Sequence, residues 1–573
     1  MSRHTIEGRS LIYQAGVSYI LVDPPSDADR YIANSGAALL DGDYLLFDDD
    51  GIFVFAYRPS TAAIIYQRVG WDMFNHGVAS GDPTPTGAVI WTRVNTWQQD
   101  TNMLVEVSTA SDMSAVVYDK LVPSNDFTSS RDYTYLLDLH GLLQPATRYY
   151  YRFSYLNTRS TTGTFKTFPL PTASPALLKF AVITCQHYQE GYWQAFDTIA
   201  GISGLDFVLH LGDFIYEYVR SDGVAGRSIL LPGGIAQDDL IVPVSLADYR
   251  ALYKTYRTDA SLRACMAAVP FIIMADDHEF TNDYYYNEDA ATHTGPDHPY
   301  SSNATQMETL WQAAMRAFSE YTPSRIPAQR HRLIQYGDLL DGWIIDGRFT
   351  RSPHPCGEGY TDRVFSEGCD QRTAADQTML GVEQLQWVTD GLAASTARWQ
   401  MLGSPELLSE LLVPGDVGLR YLKLDGFDGY PNDRDAILTA AADAGSHLLT
   451  ISGDLHASIV SRIYEPGTNT LLGAEYMTPA VSSNTLGTEL LDTLGYFTEA
   501  NHEGIIIANN ATGDTRIISA EAYRHGFIVV TVGQANVQCD LYTNDATDSG
   551  SVATLTNSWV TNRATLNTAE TYP

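Results

Sequence analysis

The chain has 573 residues, 44% of them hydrophobic and 18% charged, with a formal charge of −33 and a pI near 4.6. That is enough apolar chain for a large core spread over more than one domain, and it is the composition of a folded protein. The acidity excludes nonspecific docking on nucleic acid or an anionic membrane, and with lysine only at Lys120, Lys166, Lys179, Lys254 and Lys423 no polybasic segment exists.

Residues 1–70 read as short strands between Gly and Asp turns, an extra β-rich N-terminal segment. In it "YLLFDDDGIFVFAYRP" is a hairpin candidate with Asp50-Gly51 at the turn. Asp48, Asp49 and Asp50 lack the alternate spacing and distal Glu of an EF-hand loop, so a polar turn is the stronger reading. No run approaches the about eighteen apolar residues of a membrane span. The early stretch "LIYQAGVSYILV" is broken by Gln14 and Ser18 and has no basic region before it, so no signal peptide is recognised.

Residues 71–168 keep a period-two alternation in "GAVIWTRV", "NMLVEVST", "YTYLLDLHGL" and "TRYYYRFSYL", the pattern of a fibronectin- or immunoglobulin-like β-sandwich. The Pro-rich "PLPTASPALL" follows as a linker. Over residues 176–542 strand candidates such as "LLKFAVITC", "LDFVLHLGD", "FIIMADD" and "HLLTISGDLH" alternate with stretches of helical spacing such as "METLWQAAMRAFSEY" and "GVEQLQWVTDGLAA". That pattern predicts an α/β domain of layered sheets flanked by helices. Residues 543–573, rich in Thr and Asn, read as a polar C-terminal tail with little to bury. The five cysteines leave at least one thiol without an intrachain partner; Cys356 and Cys369 flank a Gly-rich loop and are either a disulfide or two free thiols.

The chemistry lies at strand ends. "FIIMADDHEFTND" is an apolar run that stops on Asp276, Asp277, His278 and Glu279, and such a cluster needs cations or partners to persist. Three further strands end on Cys185, on Asp213, and on Asp454 with His456. In layered α/β domains these ends face a common crevice. Asp213 is followed three residues later by Tyr216; a phenol is held as phenolate at neutral pH only by a strongly Lewis-acidic ion such as ferric iron. Cys185 and His456 complete a mixed S, N and O set suited to iron, whereas Asp276, Asp277 and Asp454 offer hard oxygens suited to calcium or manganese. Two adjacent cations of this kind suit in-line attack on phosphorus.

The motifs "GDFIYEY", "DDHEF", "GDLH" and "ITCQHYQEGYW" resemble those of the PhoD-type alkaline phosphatase and phosphodiesterase family, a branch of the calcineurin-like metallophosphoesterases. "FNHGVASGDPTPTGAVIWTRV" resembles the opening of that family's β-sandwich, and the resemblance covers roughly residues 70–540. It implies an α/β metallophosphoesterase domain behind the sandwich, hydrolysing small phosphate mono- or diesters by a metal-bound hydroxide, outside the cytoplasm. It also implies Fe3+ held by Cys185, Asp213, Tyr216 and His456, with Asp213 bridging to Ca2+, or to Mn2+ in its place, whose other ligands are Asp277 and Asp454. Asp276 is a neighbouring candidate inseparable from Asp277 by sequence, and Asn282 a weaker calcium-ligand candidate. His278 takes the position that contacts phosphate oxygen and protonates the leaving group, with a purely ion-paired histidine as the bland alternative. Arg348 in "DGRF" is either an anchor for the phosphoryl oxygens or an ordinary salt bridge.

The chain departs from the resemblance at Ala275, where a bulky aromatic is expected, at Trp311, where a basic residue is expected, and at Glu406, where an amide is expected. Two other readings stay open. A phospholipase D-like or organophosphate triesterase activity needs a wider, more apolar mouth, and a non-catalytic particle or adhesion protein needs a vestigial site.

Overall fold

The computed structural model describes residues 73–572, apart from 96–100, 157, 326–330, 367 and 417, together with seven short strands between residues 2 and 68. Two of those early strands, Tyr44–Phe47 and Phe53–Arg58, pair antiparallel, while the Asp50-Gly51 turn expected between them lies outside the described residues.

Two large mixed sheets pack face to face. The first runs in the order Thr134–Asp138, Gly87–Arg93, Val78–Thr84, Phe271–Ile273, Phe207–His210, Leu177–Ile183, His525–Gly533, Asn536–Asn544, Thr554–Asn562, Thr568–Tyr572. The second runs Arg332–Tyr336, Leu340–Ile344, Trp399–Gly403, Leu448–Ser452, Leu471–Met477, Ser458–Tyr464, Thr515–Glu521. The strands whose ends carry the candidate ligands are mutually parallel within each sheet, so their carboxyl ends emerge along one edge.

Period-two alternation explains the layering. Phe180, Val182, Phe207, Leu209 and Ile272 face the second sheet, where Trp399, Met401, Leu449 and Ile451 close the core. Their neighbours Ala181, Ile183, Val208, Phe271 and Ile273 face outward, against the helices Gln194–Gly201, Leu246–Tyr256, Ala260–Ala268 and Ala304–Tyr321. Helices Gly381–Ala394 and Pro431–Asp443 cover the outer face of the second sheet. The result is two sheets between two helical layers, as strands buried on both faces require. Among the described residues no helix is long and apolar enough to cross a membrane.

Strands Val78–Thr84, Gly87–Arg93 and Thr134–Asp138 share a core with a second small sheet that includes Met103–Ser108, Val116–Val122, Arg148–Tyr155 and Gly163–Lys166. The first three strands also belong to the large sheet, joined where Gly81 pairs with Phe271. A Cβ at Gly81 would meet the carbonyl oxygens of Pro323 and Phe271 well inside contact distance, so glycine permits the join. The sheet therefore runs on past the Pro-rich linker that divides the chain in sequence.

The reading of residues 543–573 as a tail is corrected. Strands Thr554–Asn562 and Thr568–Tyr572 extend the first sheet, and Trp559 enters the main core with 2% exposure. Threonine-rich segments suit a half-buried sheet surface, and this one needs a single large apolar anchor on its inner face. Cys356 and Cys369 are disulfide-bonded, enclosing the segment that carries Arg363 and Val364; Cys185, Cys265 and Cys539 are free and buried.

Candidate metal centre

The strand ends share an unusual backbone feature. Cys185, Asp213, Asp454 and His456 all adopt left-handed φ, at 54°, 57°, 68° and 52°. Non-glycine residues rarely sit there, and such strain concentrates at functional sites.

Among the described residues, ligand atoms of Cys185, Asp213 and His456 lie within 4.8 Å of one another. Tyr216 joins them, its Oη 3.1 Å from His456 Nε2. Its ring is wedged between His187 and His278, with ring centroids 4.6 and 4.0 Å away. His456 Nδ1 donates to the Asn484 carbonyl at 2.6 Å, which turns Nε2 toward the group. Burial first, and then Asp213 with Asp454, pushes the Cys185 thiol well up; burial first, and then Asp213 with Cys185, does the same to the Tyr216 phenol. Soft, imidazole and hard donors meet here beside the His278 imidazole. A cation at the centre would stabilise the thiolate and the phenolate together, and the residues fit a metal ion.

The neighbouring carboxylates are arranged differently. Asp276, Asp277 and Asp454 form one close group, Asp277, Asp283 and Asp425 a second, and Glu406, Asp425 and Asp454 a third. The guanidinium of Arg348, with 0% side-chain exposure, pairs with five of these acids: Asp276 at 2.5 Å, Asp425 at 2.6 Å, Asp277 and Asp454 at 3.5 Å, and Glu406. Although burial opposes it, Arg348, Arg351 and Lys423 hold Asp425 well below the usual carboxylate range. Arg348 is thus engaged by carboxylates and is not among the residues that line the cleft. Both oxygens of Asp277 accept backbone N–H groups, from His278 at 3.0 Å and Asp283 at 2.8 Å.

A cleft of about 300 Å3 opens over the first cluster, lined by Tyr216, Glu217, Tyr218, His278, Asn282 and His456 among others. His278 Nδ1 lies 2.6 Å from Glu217 Oε2, which leaves Nε2 for the cleft. Although burial opposes it, Glu217, Asp213 and Asp277 hold the His278 imidazole well above its ordinary value. Asn282 lines the cleft, but its side-chain amide donates to Asp297 at 3.3 Å. The lining mixes charged groups, Glu190, Arg220 and Glu489, with apolar Leu240 and Val242. Trp311 stacks on His293 with ring centroids 3.8 Å apart.

Several residues support the cluster without serving as its ligand candidates. Glu279 accepts from the backbone N–H groups of Asp213, Phe214 and Asp276, tying two strand ends together. Its place inside "DDHEF" was the available signal. Glu217 stands beside Tyr216 in "GDFIYEY", whereas Asp283, Asp425 and Lys423 carry no local signal of their role.

Comparison with known proteins bears on the site as a whole. The PhoD-like phosphatase family matches residues 180–541, and the PhoD-like phosphatase N-terminal domain matches residues 60–169. The chain is 29% identical over 435 residues to alkaline phosphatase D of Bacillus subtilis (strain 168), covering 73% of this chain and 70% of that protein. A solved structure of PhoD superposes with a TM-score of 0.73 at 25% identity, over 87% of this chain and 92% of that one.

Proposed function

The chain belongs to the PhoD-like phosphatase family, and on that premise we propose how its strand-end cluster serves the metal-dependent hydrolysis of phosphate esters. Membership sets aside the reading as a non-catalytic adhesion protein. The observation that carries the proposal is the convergence of Cys185, Asp213 and His456 on one point, each from a left-handed backbone, with Tyr216 at 3.1 Å from His456.

In this reading Cys185, Asp213, Tyr216 and His456 hold ferric iron, which when bound supplies Lewis acidity for activating water and neutralising charge on the phosphoryl group. The chain does the rest. Glu217 fixes the His278 ring and favours its protonated form, and the Nε2–H facing the cleft donates a proton to the departing alkoxide. Tyr216 stacked on His278 keeps that imidazole over the cluster. The left-handed turns at Asp213 and Cys185 hold their donors in place before substrate arrives, so little reorganisation is left for the reaction. Calcium is not assigned, because Arg348 and Lys423 already serve the carboxylates that would bind it.

The test is the initial rate on an aryl phosphate monoester beside the corresponding diester, at neutral and alkaline pH, before and after a chelator strong enough to strip iron. Hydrolysis that vanishes with the metal and returns on reconstitution is expected, with the monoester to diester ratio naming the preferred substrate. Undiminished hydrolysis by metal-free protein would sink the proposal.

A further inference from the structure

Lys423, one of five lysines in the chain, reaches the carboxylates by strand register. It ends the strand Gly418–Lys423, which pairs antiparallel with Val364–Ser366 so that Val364 lies opposite Lys423. Leu422 and Leu424 on either side are fully buried, so alternation turns Lys423 the other way. There its ammonium lies 3.1 and 3.3 Å from the two oxygens of Asp454, 3.4 Å from Asp425 and 3.7 Å from Asp283. It touches a member of each of the three overlapping carboxylate groups, and so does Arg348.

A divalent cation needs carboxylate oxygens turned inward with their charge uncompensated. Here Asp454 gives both oxygens to Lys423, Asp277 gives both to backbone N–H groups, and Asp425 is shared among Arg348, Arg351 and His354. Asp283 pairs with Arg363. The donor set suits calcium in type, but Lys423 already stands among Asp283, Asp425 and Asp454, where such an ion would sit. Glu406, standing where an amide is expected, adds the extra negative charge that a built-in cation can balance.

We propose that Lys423 is a resident cation of this centre: its ammonium takes the place of a further divalent ion among Asp283, Asp425 and Asp454. The chain then uses a metal from solution at the Cys185, Asp213, Tyr216 and His456 set, and positive charge of its own beside it. Lys423 screens acids that would otherwise repel an approaching phosphate. The inference rests on the phosphoesterase reading for the use of the centre, but its charge argument stands on geometry alone.

Calcium, and separately manganese, is titrated into the purified full chain carrying its tightly bound ion, with heat of binding and ions per chain recorded. Wild type is expected to take up no further ion at this position below ~1 mM. Lys423→Gln and Lys423→Met are expected to bind one more ion per chain at least ~100-fold more tightly, as loss of a unit charge so near the oxygens implies. Lys423→Arg, which keeps the charge, is expected to behave like wild type. Equal affinity in wild type and Lys423→Gln overturns the inference. Should the neutral variants fail to fold, manganese located by anomalous scattering in wild-type crystals decides: a peak between Asp283, Asp425 and Asp454 overturns it, and its absence there at saturating manganese supports it. The readout is binding, so failed ester hydrolysis leaves this inference standing, whereas an active enzyme with an ion at this position sinks it alone.

Discussion

Two acid-bearing clusters sit side by side on one sheet edge and solve the same electrostatic problem in opposite ways. Around Cys185, Asp213, Tyr216 and His456 the neighbouring positive charge is the His278 imidazole, and burial drives thiol and phenol upward. Around Asp276, Asp277, Asp425 and Asp454 the chain supplies Arg348, Arg351 and Lys423, and Asp425 is held down. An acid at a strand end is therefore not by itself a ligand. What decides is whether its countercharge arrives from solution or from another part of the chain.

Asp213→Asn breaks the first cluster most directly, because asparagine tolerates the left-handed backbone and removes only the charge. Bound metal is expected to fall and ester hydrolysis to drop ~10^4-fold, about 5 kcal/mol of barrier. Metal analysis beside steady-state rates checks it, and retained metal with full rate would remove Asp213 from the centre. Arg348→Met attacks the other cluster, leaving five acids without their shared partner. Loss of about 3–5 kcal/mol in denaturant unfolding is expected. A near-neutral result would mean that the acids find their charge elsewhere.

A pH scan separates the clusters further. His525 donates from Nε2 to the Ser483 carbonyl at 2.9 Å, and the Ser483 hydroxyl in turn donates to the Cys185 carbonyl, also at 2.9 Å. Burial holds the His525 imidazole down at about 4. A depressed imidazole means that the unfolded chain binds more protons between pH 4 and the ordinary value of about 6.5. Its contribution is complete above about 6.5 and is lost as pH falls through about 4, up to about 3 kcal/mol. His525→Gln should flatten that part of the stability profile; an unchanged slope would acquit His525. The smallest effect is expected from Tyr216→Phe, which keeps the stacked ring and deletes the phenol. A visible phenolate-to-iron absorption should disappear while the rate falls ~10-fold, about 1.4 kcal/mol. A band that survives would remove Tyr216 from the ligand set.

The difference between the clusters also decides what could be read from sequence. Cys185, Asp213, and Asp454 with His456 each close a short apolar run, and Tyr216 follows Asp213 by three residues, so strand patterning and local spacing expose them. The countercharges do not behave this way. Lys423 comes from a small sheet set by its pairing with Val364, and Asp425 lies two residues beyond it, so neither ends a recognisable core strand. Arg348 was visible as a candidate, but its five partners come from four separate chain segments, which local spacing does not register. The helices Ala304–Tyr321 and Gly381–Ala394 were legible from apolar spacing. The final strands were not, because polar threonines and asparagines outweigh Trp559 in composition though not in burial.

The disulfide between Cys356 and Cys369 acquires a meaning from this arrangement. The covalent ring encloses Arg363, which pairs with Asp283, and Val364, whose strand sets the register of Lys423. Closing a loop of that size restricts the unfolded chain by about 3 kcal/mol. Here it also braces two of the cations beside the centre. A covalent constraint set thirteen residues apart in sequence thus bears on charges at the centre without supplying a ligand.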